Sequence, residues 1–449
     1  MPPFPTDASQ YSYHIMTPKA YILELPTEML VEIADQLKNG SNLLAFRLTC
    51  KSLEKASHDT FATKYFAIRT HLFTRYGLQA LVDIAKHPSL GRKVQKIEII
   101  VKVLDSANIG PYDDYGDIPW TPSPHYVSTE AQKLAAREYA FGRKEGWADW
   151  DAEAEAHLDE SRVPATLDEI FAELASFGAS VELDINDKMR ESSYRAAPPP
   201  YGTKHLLTVV GGGVREQDLK DDEIDFAFES VMTALARTGA KCHALTIGDY
   251  WEGQLSCSAF EFANASTHSL DLCLANLTKL RLYLGYVLPI ATATEQADFE
   301  IFGQACVNLE ELHLGWKGYE IEPVVRGQDA LIAITGAFTS RRISNIWLNV
   351  LCADGQGYIA FLEARCQCLK KLTLARPHMP GSQCWSTVLR WILQHAQLEY
   401  LKLDTLARKE PYAEMNDDDD KDKFVLEGDV EGVKEQLRVL LPKLRYKRY

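Results

Sequence analysis

One spacing recurs through the C-terminal half of this chain: an apolar residue, two of any kind, a second apolar residue, one of any kind, and a third. It reads Cys242-x-x-Leu245-x-Ile247, then Leu277-x-x-Leu280-x-Leu282, Leu309-x-x-Leu312-x-Leu314 and Ile343-x-x-Ile346-x-Leu348. Leu369-x-x-Leu372-x-Leu374 and Leu398-x-x-Leu401-x-Leu403 complete the run, and Val94-x-x-Ile97-x-Ile99 has the same form upstream. From 242 onward, successive copies begin 35, 32, 34, 26 and 29 residues apart. The last two apolar positions of each copy are two residues apart, the period at which strand side chains share a face. Each copy therefore predicts a short, half-buried strand.

Segments of helical periodicity precede most copies. Phe226 to Arg237 leads into the copy at 242, Phe299 to Cys306 into 309, and Ala330 to Phe338 into 343. Tyr358 to Arg365 leads into 369 and Val388 to His395 into 398, while Leu167 to Phe177 followed by Val181, Leu183 and Ile185 adds another unit. Helix and strand alternating at this interval predict parallel strands with the helices on the outer face. Repetition at this length predicts a stacked array, in which each unit packs on its neighbours. The region resembles an irregular leucine-rich repeat, which implies an α/β solenoid over 71–449.

Several stretches interrupt that pattern. Asp105 to Pro124 is rich in Gly, Pro, Tyr and Asp and reads as a loop. Ala131 to Leu158 is charged and helical with Trp147 and Trp150, and Ser192 to Thr203 holds Pro198-Pro199-Pro200. Together they predict insertions near 105–205. Glu414 to Lys423, centred on Asp417 to Asp420, predicts an acidic, solvated loop near 414–423. Val430 to Leu441 reads as an amphipathic helix that closes the array. Residues 1–20 are expected to be disordered.

Near the other end, about forty residues carry a different signal. Leu25-Pro26-Thr27-Glu28-Met29-Leu30 opens a helix with Pro26 at its first turn, where a missing N–H costs nothing. Leu30, Ile33, Ala34 and Leu37 continue it, Asn39-Gly40-Ser41 breaks it, and Ser41 or Asn42 is placed to cap a second helix carrying Leu43, Leu44, Phe46 and Leu48. Leu48-Thr49-Cys50-Lys51 leads into a third. This is more apolar surface than so short a bundle can bury by itself, and uncovered apolar surface marks a partner site. The segment from Leu23 to Phe66 resembles an F-box, the helical module that docks a Skp-type adaptor in cullin-RING ubiquitin ligases. Asn42 and Leu53 depart from that family's usual Asp and Trp. The expected module spans 21–70. The resemblance implies an adaptor contact region formed by Leu25, Pro26, Leu30, Ile33, Leu43, Leu44, Cys50 and Lys51.

Composition narrows the partners. The 48 basic and 63 acidic residues leave a formal charge of −15, which repels a phosphate backbone and argues against nucleic acid. No apolar run approaches the roughly 20 residues a membrane helix needs. Met1-Pro2-Pro3-Phe4-Pro5 lacks a basic stretch followed by an apolar one, so no signal peptide is expected, and nine cysteines at irregular spacing predict reduced thiols in a cytoplasmic or nuclear protein. Membranes and nucleic acids are thus not expected as partners.

No catalytic constellation emerges. Gly211-Gly212-Gly213 lacks a following Gly-Lys-Ser/Thr and is trailed by Glu216 and Asp218, so it reads as a turn. Cys366-x-Cys368 and Cys242-His243 lack a second pair at zinc-ligand spacing, the acidic run lacks the glycine and spacing of a calcium loop, and no Gly-x-Ser-x-Gly elbow is present. The expectation is a non-enzyme with no metal and no cofactor.

What the pattern offers is a binding face. Strand alternation turns Lys279, Arg281 and Tyr283, Glu311 and His313, and Asn345, Trp347 and Asn349 away from the apolar positions. Lys371 and Thr373, then Tyr400, Lys402 and Asp404, follow. Arg281, Tyr283, His313, Trp347 and Tyr400 are the candidate partner-binding residues, since interfaces concentrate energy in Trp, Tyr and Arg. With the F-box resemblance, these residues predict the substrate-recognition subunit of an SCF-type ubiquitin ligase: a Skp-type adaptor, and through it a cullin, on the module, and a target protein on the repeats. The alternative is a ligase-independent repeat scaffold.

Overall fold

A computed structural model describes residues 21–101, 103–104, 162–186, 219–220, 224–248, 255–265, 267–285, 292–316, 326–349, 353–365, 367–375, 385–404 and 424–445. The expected disordered N-terminus, the loop, charged helix and proline run of the insertions, Gly211 to Gly213, Cys366 and the acidic loop all lie outside the described residues. The chain divides into two compact units, 1–67 and 68–449.

In the first unit a 3-10 turn (Tyr21–Glu24) precedes α1 (Thr27–Gln36), α2 (Gly40–Thr49), α3 (Lys51–Ala56) and α4 (His58–Phe66). The three-helix expectation undercounts these. Cys50 sits in extended backbone at φ −163°, which separates α2 from α3, and Ser57 ends α3 at ψ 3°. Pro26 lies one residue before α1, at φ −53° and ψ 148°, and its carbonyl accepts from the amides of Met29 and Leu30 at 3.1 and 3.2 Å. Asn39, rather than Ser41 or Asn42, caps α2, its side-chain oxygen accepting from the Ser41 amide at 3.0 Å. The core is small: Leu30, Leu53 and Ala56 pack with the half-buried Leu25, Val31, Phe46 and Cys50. Polar ties supplement it. The Arg47 guanidinium lies 4.0 Å from the Phe61 ring centroid, a cation–π contact. Lys64 donates from α4 to the carbonyls of Leu37, at 3.1 Å, and Lys38 beyond α1.

The second unit begins at β1 (Ile68–Leu72), so the first unit ends three residues before the expected boundary at 70. Then follow α5 (Arg75–Lys86), β2 (Lys96–Ile100), β3 (Val103–Leu104), α6 (Arg162–Ser176), β4 (Ser180–Asn186), β5 (Leu219–Lys220), α7 (Ile224–Thr238) and β6 (Lys241–Ile247). Two short helices, α8 (Phe262–Ala265) and α9 (Thr267–Leu274), precede β7 (Lys279–Leu284). From there helix and strand alternate: α10 (Ala293–Ala305), β8 (Glu311–Trp316), α11 (Arg326–Ala337), β9 (Asn345–Asn349), α12 (Gly355–Glu363), β10 (Lys371–Ala375), α13 (Trp385–His395) and β11 (Tyr400–Asp404). β12 (Phe424–Glu427) and α14 (Val430–Arg445) end the unit.

Ten of these strands form one sheet in the order β1, β2, β4, β6, β7, β8, β9, β10, β11, β12, while β3 and β5 pair separately. All neighbours in the large sheet are parallel except β11 and β12. An α/β architecture with a mostly parallel sheet is what the alternating pattern predicts, and the observed strands contain the paired apolar residues of every copy of the spacing. The reason is visible in burial. Along β4 buried and half-buried residues alternate strictly, and β7 runs exposed, buried, exposed, buried. Apart from Arg69 and His71 on β1, one face is apolar and packs on the helices; Leu280, Leu312, Ile346, Leu372 and Leu401 occupy equivalent registers and are essentially inaccessible.

Two features tie each repeat to the next. At the foot of the strands, one carbonyl per unit accepts two amides from its neighbour: Thr278 from Glu310 and Glu311, Glu310 from Ser344 and Asn345, Ser344 from Lys370 and Lys371, Lys370 from Glu399 and Tyr400. Between sheet and helices, phenylalanines form a spine. Phe228 meets Phe260 at 5.4 Å, Phe260 meets Phe299 at 5.1 Å, and Phe299 meets Phe338 at 5.6 Å, each pair edge to face. Gly303 lets α10 and α11 approach, since a Cβ there would lie 2.7–2.8 Å from Ala337. The sheet ends with β12 along β11, followed by α14, which starts at the expected Val430 and buries Val433, Leu437 and Leu440.

Candidate protein-interaction surfaces

Two surfaces remain once the cores are assigned. The first lies on the helical unit. Of its expected contact residues, Leu30 and Leu43 are buried within the unit and fill its own core. Leu25, Ile33 and Cys50 are half-buried, while Pro26, Leu44 and Lys51 are exposed. Ile22, Leu23, Met29 and Leu48, outside the expected contact set, are exposed too; Leu48 has 85 % of its surface accessible and Leu44 41 %. Helix periodicity explains the division. Leu44 and Leu48 are four residues apart and share one face of α2, whereas Leu43 turns inward. Leu53 on α3 is buried at 1 % accessibility.

The second surface is the face of the large sheet opposite the apolar one. Register places its side chains in rows that cross the strands. The middle row runs Thr70, Glu98, Asp184, Thr246, Arg281, His313, Trp347, Thr373 and Lys402. The row below it runs from Lys96 through Glu182, Ala244, Lys279, Glu311, Asn345 and Lys371 to Tyr400. All five expected partner-binding residues are therefore on this face, with Arg281 exposed and Tyr283, His313, Trp347 and Tyr400 half-buried.

Three of them form a cluster. The His313 and Trp347 ring centroids are 3.4 Å apart at 36°, Tyr283 lies 5.5 Å from His313 and 6.5 Å from Trp347, and the Tyr283 hydroxyl is 3.3 Å from His313 Nε2. Gly315 makes room for this, because a Cβ there would be 2.6 Å from the Tyr283 ring. Burial, reinforced by the adjacent Arg281 charge, lowers the His313 pKa to about 3, so the imidazole is neutral at physiological pH.

A different arrangement occupies β2 and β4. Lys96 Nζ lies 3.1 Å from Glu98, 3.0 Å from Glu182 and 3.1 Å from Asp184. Thr70 donates to Glu98 at 2.7 Å and Asn186 to Asp184 at 2.8 Å. Burial alone would lower the Lys96 pKa, but the surrounding carboxylates outweigh it and raise the value. This network carries more carboxylate than ammonium and was not foreseen, since β2 and β4 are about eighty residues apart in the chain.

Among the described residues no group of three or more His, Cys, Asp or Glu side chains converges as metal ligands, and no helix is long and apolar enough to cross a membrane. Cys242, Cys257, Cys273 and Cys306 are free and buried. Burial pushes the thiols of Cys257 and Cys273 up to about 12 and raises those of Cys242 and Cys306 as well, so they act as small apolar residues.

No family model and no curated protein matches the chain. Among solved structures it is similar to a D-psicose 3-epimerase with D-fructose present, at 8% identity over 84% of this chain and 95% of that one, with a TM-score of 0.18. It is also similar to the endo-beta-1,4-mannanase from Thermotoga petrophila, at 9% identity over 86% and 80% of the two chains, with a TM-score of 0.19. Likeness at that level carries no argument about fold or activity.

Proposed function

We propose that this chain is a non-catalytic substrate receptor of a cullin-RING ubiquitin ligase, with an F-box-like module that binds a Skp-type adaptor and an irregular leucine-rich-repeat-like unit that binds a target protein. The observation that carries the reading is the uncovered apolar set on the helical unit. Leu44 and Leu48 stand on one face of α2, with Met29 exposed on α1 and Ile22 and Leu23 on the preceding turn. A second, polar and aromatic face on the repeat unit supplies a separate surface for a target. Two binding surfaces on one chain act by proximity, raising the effective concentration of the target's lysines near the transfer enzyme.

Co-expression with a Skp-type adaptor and a cullin tests this. The expected result is capture of both by the wild-type chain and loss of both in Leu44→Asp/Leu48→Asp, with the circular-dichroism spectrum and melting temperature retained. Pro26→Ala/Leu30→Ala should also release the adaptor, but partly through the module's core, because Leu30 is buried. Failure of the wild-type chain to capture adaptor, or capture undiminished in Leu44→Asp/Leu48→Asp, overturns the proposal. Capture of adaptor without cullin assigns the chain instead to a ligase-independent scaffold.

A further inference from the structure

The charges on the polar face are segregated along the sheet. On β2 and β4, Lys96 faces three carboxylates, those of Glu98, Glu182 and Asp184. On β7 to β11 the balance reverses: Lys279, Arg281, Lys371 and Lys402 face Glu311 and Asp404. Two of those four cations are matched, Lys279 with Glu311 at 3.8 Å and Lys402 with Asp404 at 3.7 Å. Arg281 and Lys371 are exposed, and their side chains have no ion-pair or hydrogen-bond partner among the described residues. They sit on β7 and β10, on either side of the His313–Trp347 stack on β8 and β9. In a chain of formal charge −15, a partner-free cation pair around an aromatic is a local reversal of the protein's field.

We propose that the polar face of β7 to β10 binds an extended polypeptide segment in which acidic residues flank an aromatic one, the aromatic packing on Trp347 and the carboxylates pairing with Arg281 and Lys371. This rests on the receptor reading for the occupant being a target protein; the chemistry of the site stands without it. His313 and Tyr283 brace the Trp347 ring, so little side-chain entropy is lost when a partner packs against it. Three inter-strand spacings separate β7 from β10, about 14 Å, a span that about five extended residues cover. The carboxylates on β2 and β4 repel the acidic segment and confine it to the far half of the face. They also disfavour a phosphate backbone there.

The experiment pans a displayed library of random linear peptides against the purified full chain at low salt. The expected outcome is enrichment of peptides combining Asp or Glu with Phe, Tyr or Trp. A synthetic peptide from that pool should bind on the order of tenfold more weakly to Trp347→Ala, and progressively more weakly as salt rises. Panning Arg281→Glu/Lys371→Glu should reverse the selected charge to Lys and Arg, a change that partial unfolding cannot produce. Enrichment of basic peptides by the wild-type chain, no enrichment at all, selection unaltered by the charge reversal, or displacement of the peptide by a single-stranded oligonucleotide each overturns the assignment. Adaptor capture is read in parallel on the same preparations. Failed selection with adaptor retained sinks this inference alone, and selection with no adaptor captured sinks the ligase reading alone.

Discussion

The two units treat apolar residues in opposite ways. In residues 68–449, the paired Leu and Ile positions of the strands are sealed between sheet and helices and the middle strands turn polar, charged or braced aromatic side chains outward, while exposed apolar residues such as Leu272, Ile332 and Val439 are spread over separate helices. In residues 1–67 the apolar supply exceeds the core: Leu30, Leu43 and Leu53 are inside while Leu44, Leu48 and Met29 are outside. A long sheet covered by helices has interior for many leucines, whereas a bundle of four short helices runs out of interior. On the proposed reading, the surplus in the small unit is what an adaptor would cover, and in the large unit the polar face of the sheet would meet the target.

That contrast breaks first if the sealed core is not the larger unit's source of stability. Phe260→Ala removes a ring that touches Phe228, Phe299 and, at 5.2 Å, Phe302, and should cost about 3–5 kcal/mol in urea unfolding. A loss below about 1 kcal/mol would mean that the spine is loosely packed.

Acid provides the next largest effect. Burial, with Arg69 nearby and opposed by the hydrogen bond that His71 donates to the Gly77 carbonyl, lowers the His71 pKa to about 3, as burial and Arg281 do for His313. Between pH 6.5 and 3 the unfolded chain therefore holds protons that the folded unit refuses. Stability from these residues is complete above pH 6.5 and falls as the solution is acidified, by up to about 1.4 kcal/mol per pH unit for each histidine. Melting temperatures at pH 7 and 4.5 should differ less in His71→Gln/His313→Gln than in the wild type. An unchanged difference would place the acid sensitivity elsewhere.

Smaller again is the effect of filling the space above Gly315. Gly315→Val sets a branched side chain against the Tyr283 ring and should cost about 1–3 kcal/mol through overpacking. Its sharper consequence is on the polar face, because displacing Tyr283 unbraces His313 and Trp347. Trp347 fluorescence in a background lacking the other tryptophans should shift toward that of a solvated indole. No shift would show that the cluster holds without Tyr283.

How much of this was legible follows from the reach of each signal. The strands at 242, 277, 309, 343, 369 and 398 were legible because period-2 alternation and burial coincide within six residues. The stack of Tyr283, His313 and Trp347 was legible in part: alternation put all three on one face, but the register that brings His313 beside Trp347 depends on strands more than thirty residues apart. β1 and β12 escaped. His71 occupies an inward position of β1, where its Nδ1 lies 2.9 Å from the Gly77 carbonyl, and a histidine in a core position hides an apolar pattern. β12 follows the acidic segment and is short, with only Phe424 and Leu426 turned inward. In the helical unit the leucines were found but not sorted, since Leu43 and Leu44 are adjacent and only the helix's rotation separates core from surface.

The smallest expected effect discriminates best between the two units. Leu48 is exposed near the end of α2, so Leu48→Ser removes almost no buried area and should change the unfolding free energy by less than about 0.5 kcal/mol. The corresponding change in the array, Leu282→Ser, opens a cavity and buries a hydroxyl, and belongs with the costly core substitutions. If Leu48 is held uncovered for a partner, Leu48→Ser should leave the melting curve where it is and still weaken adaptor capture. A marked destabilisation would mean that Leu48 is covered within the chain itself. A neutral melting curve with capture unimpaired would shift the weight of the contact to Leu44, Met29 and the turn at Ile22 and Leu23. The docking face would then run along α1 rather than α2, and Met29→Asp would be the substitution that releases the adaptor.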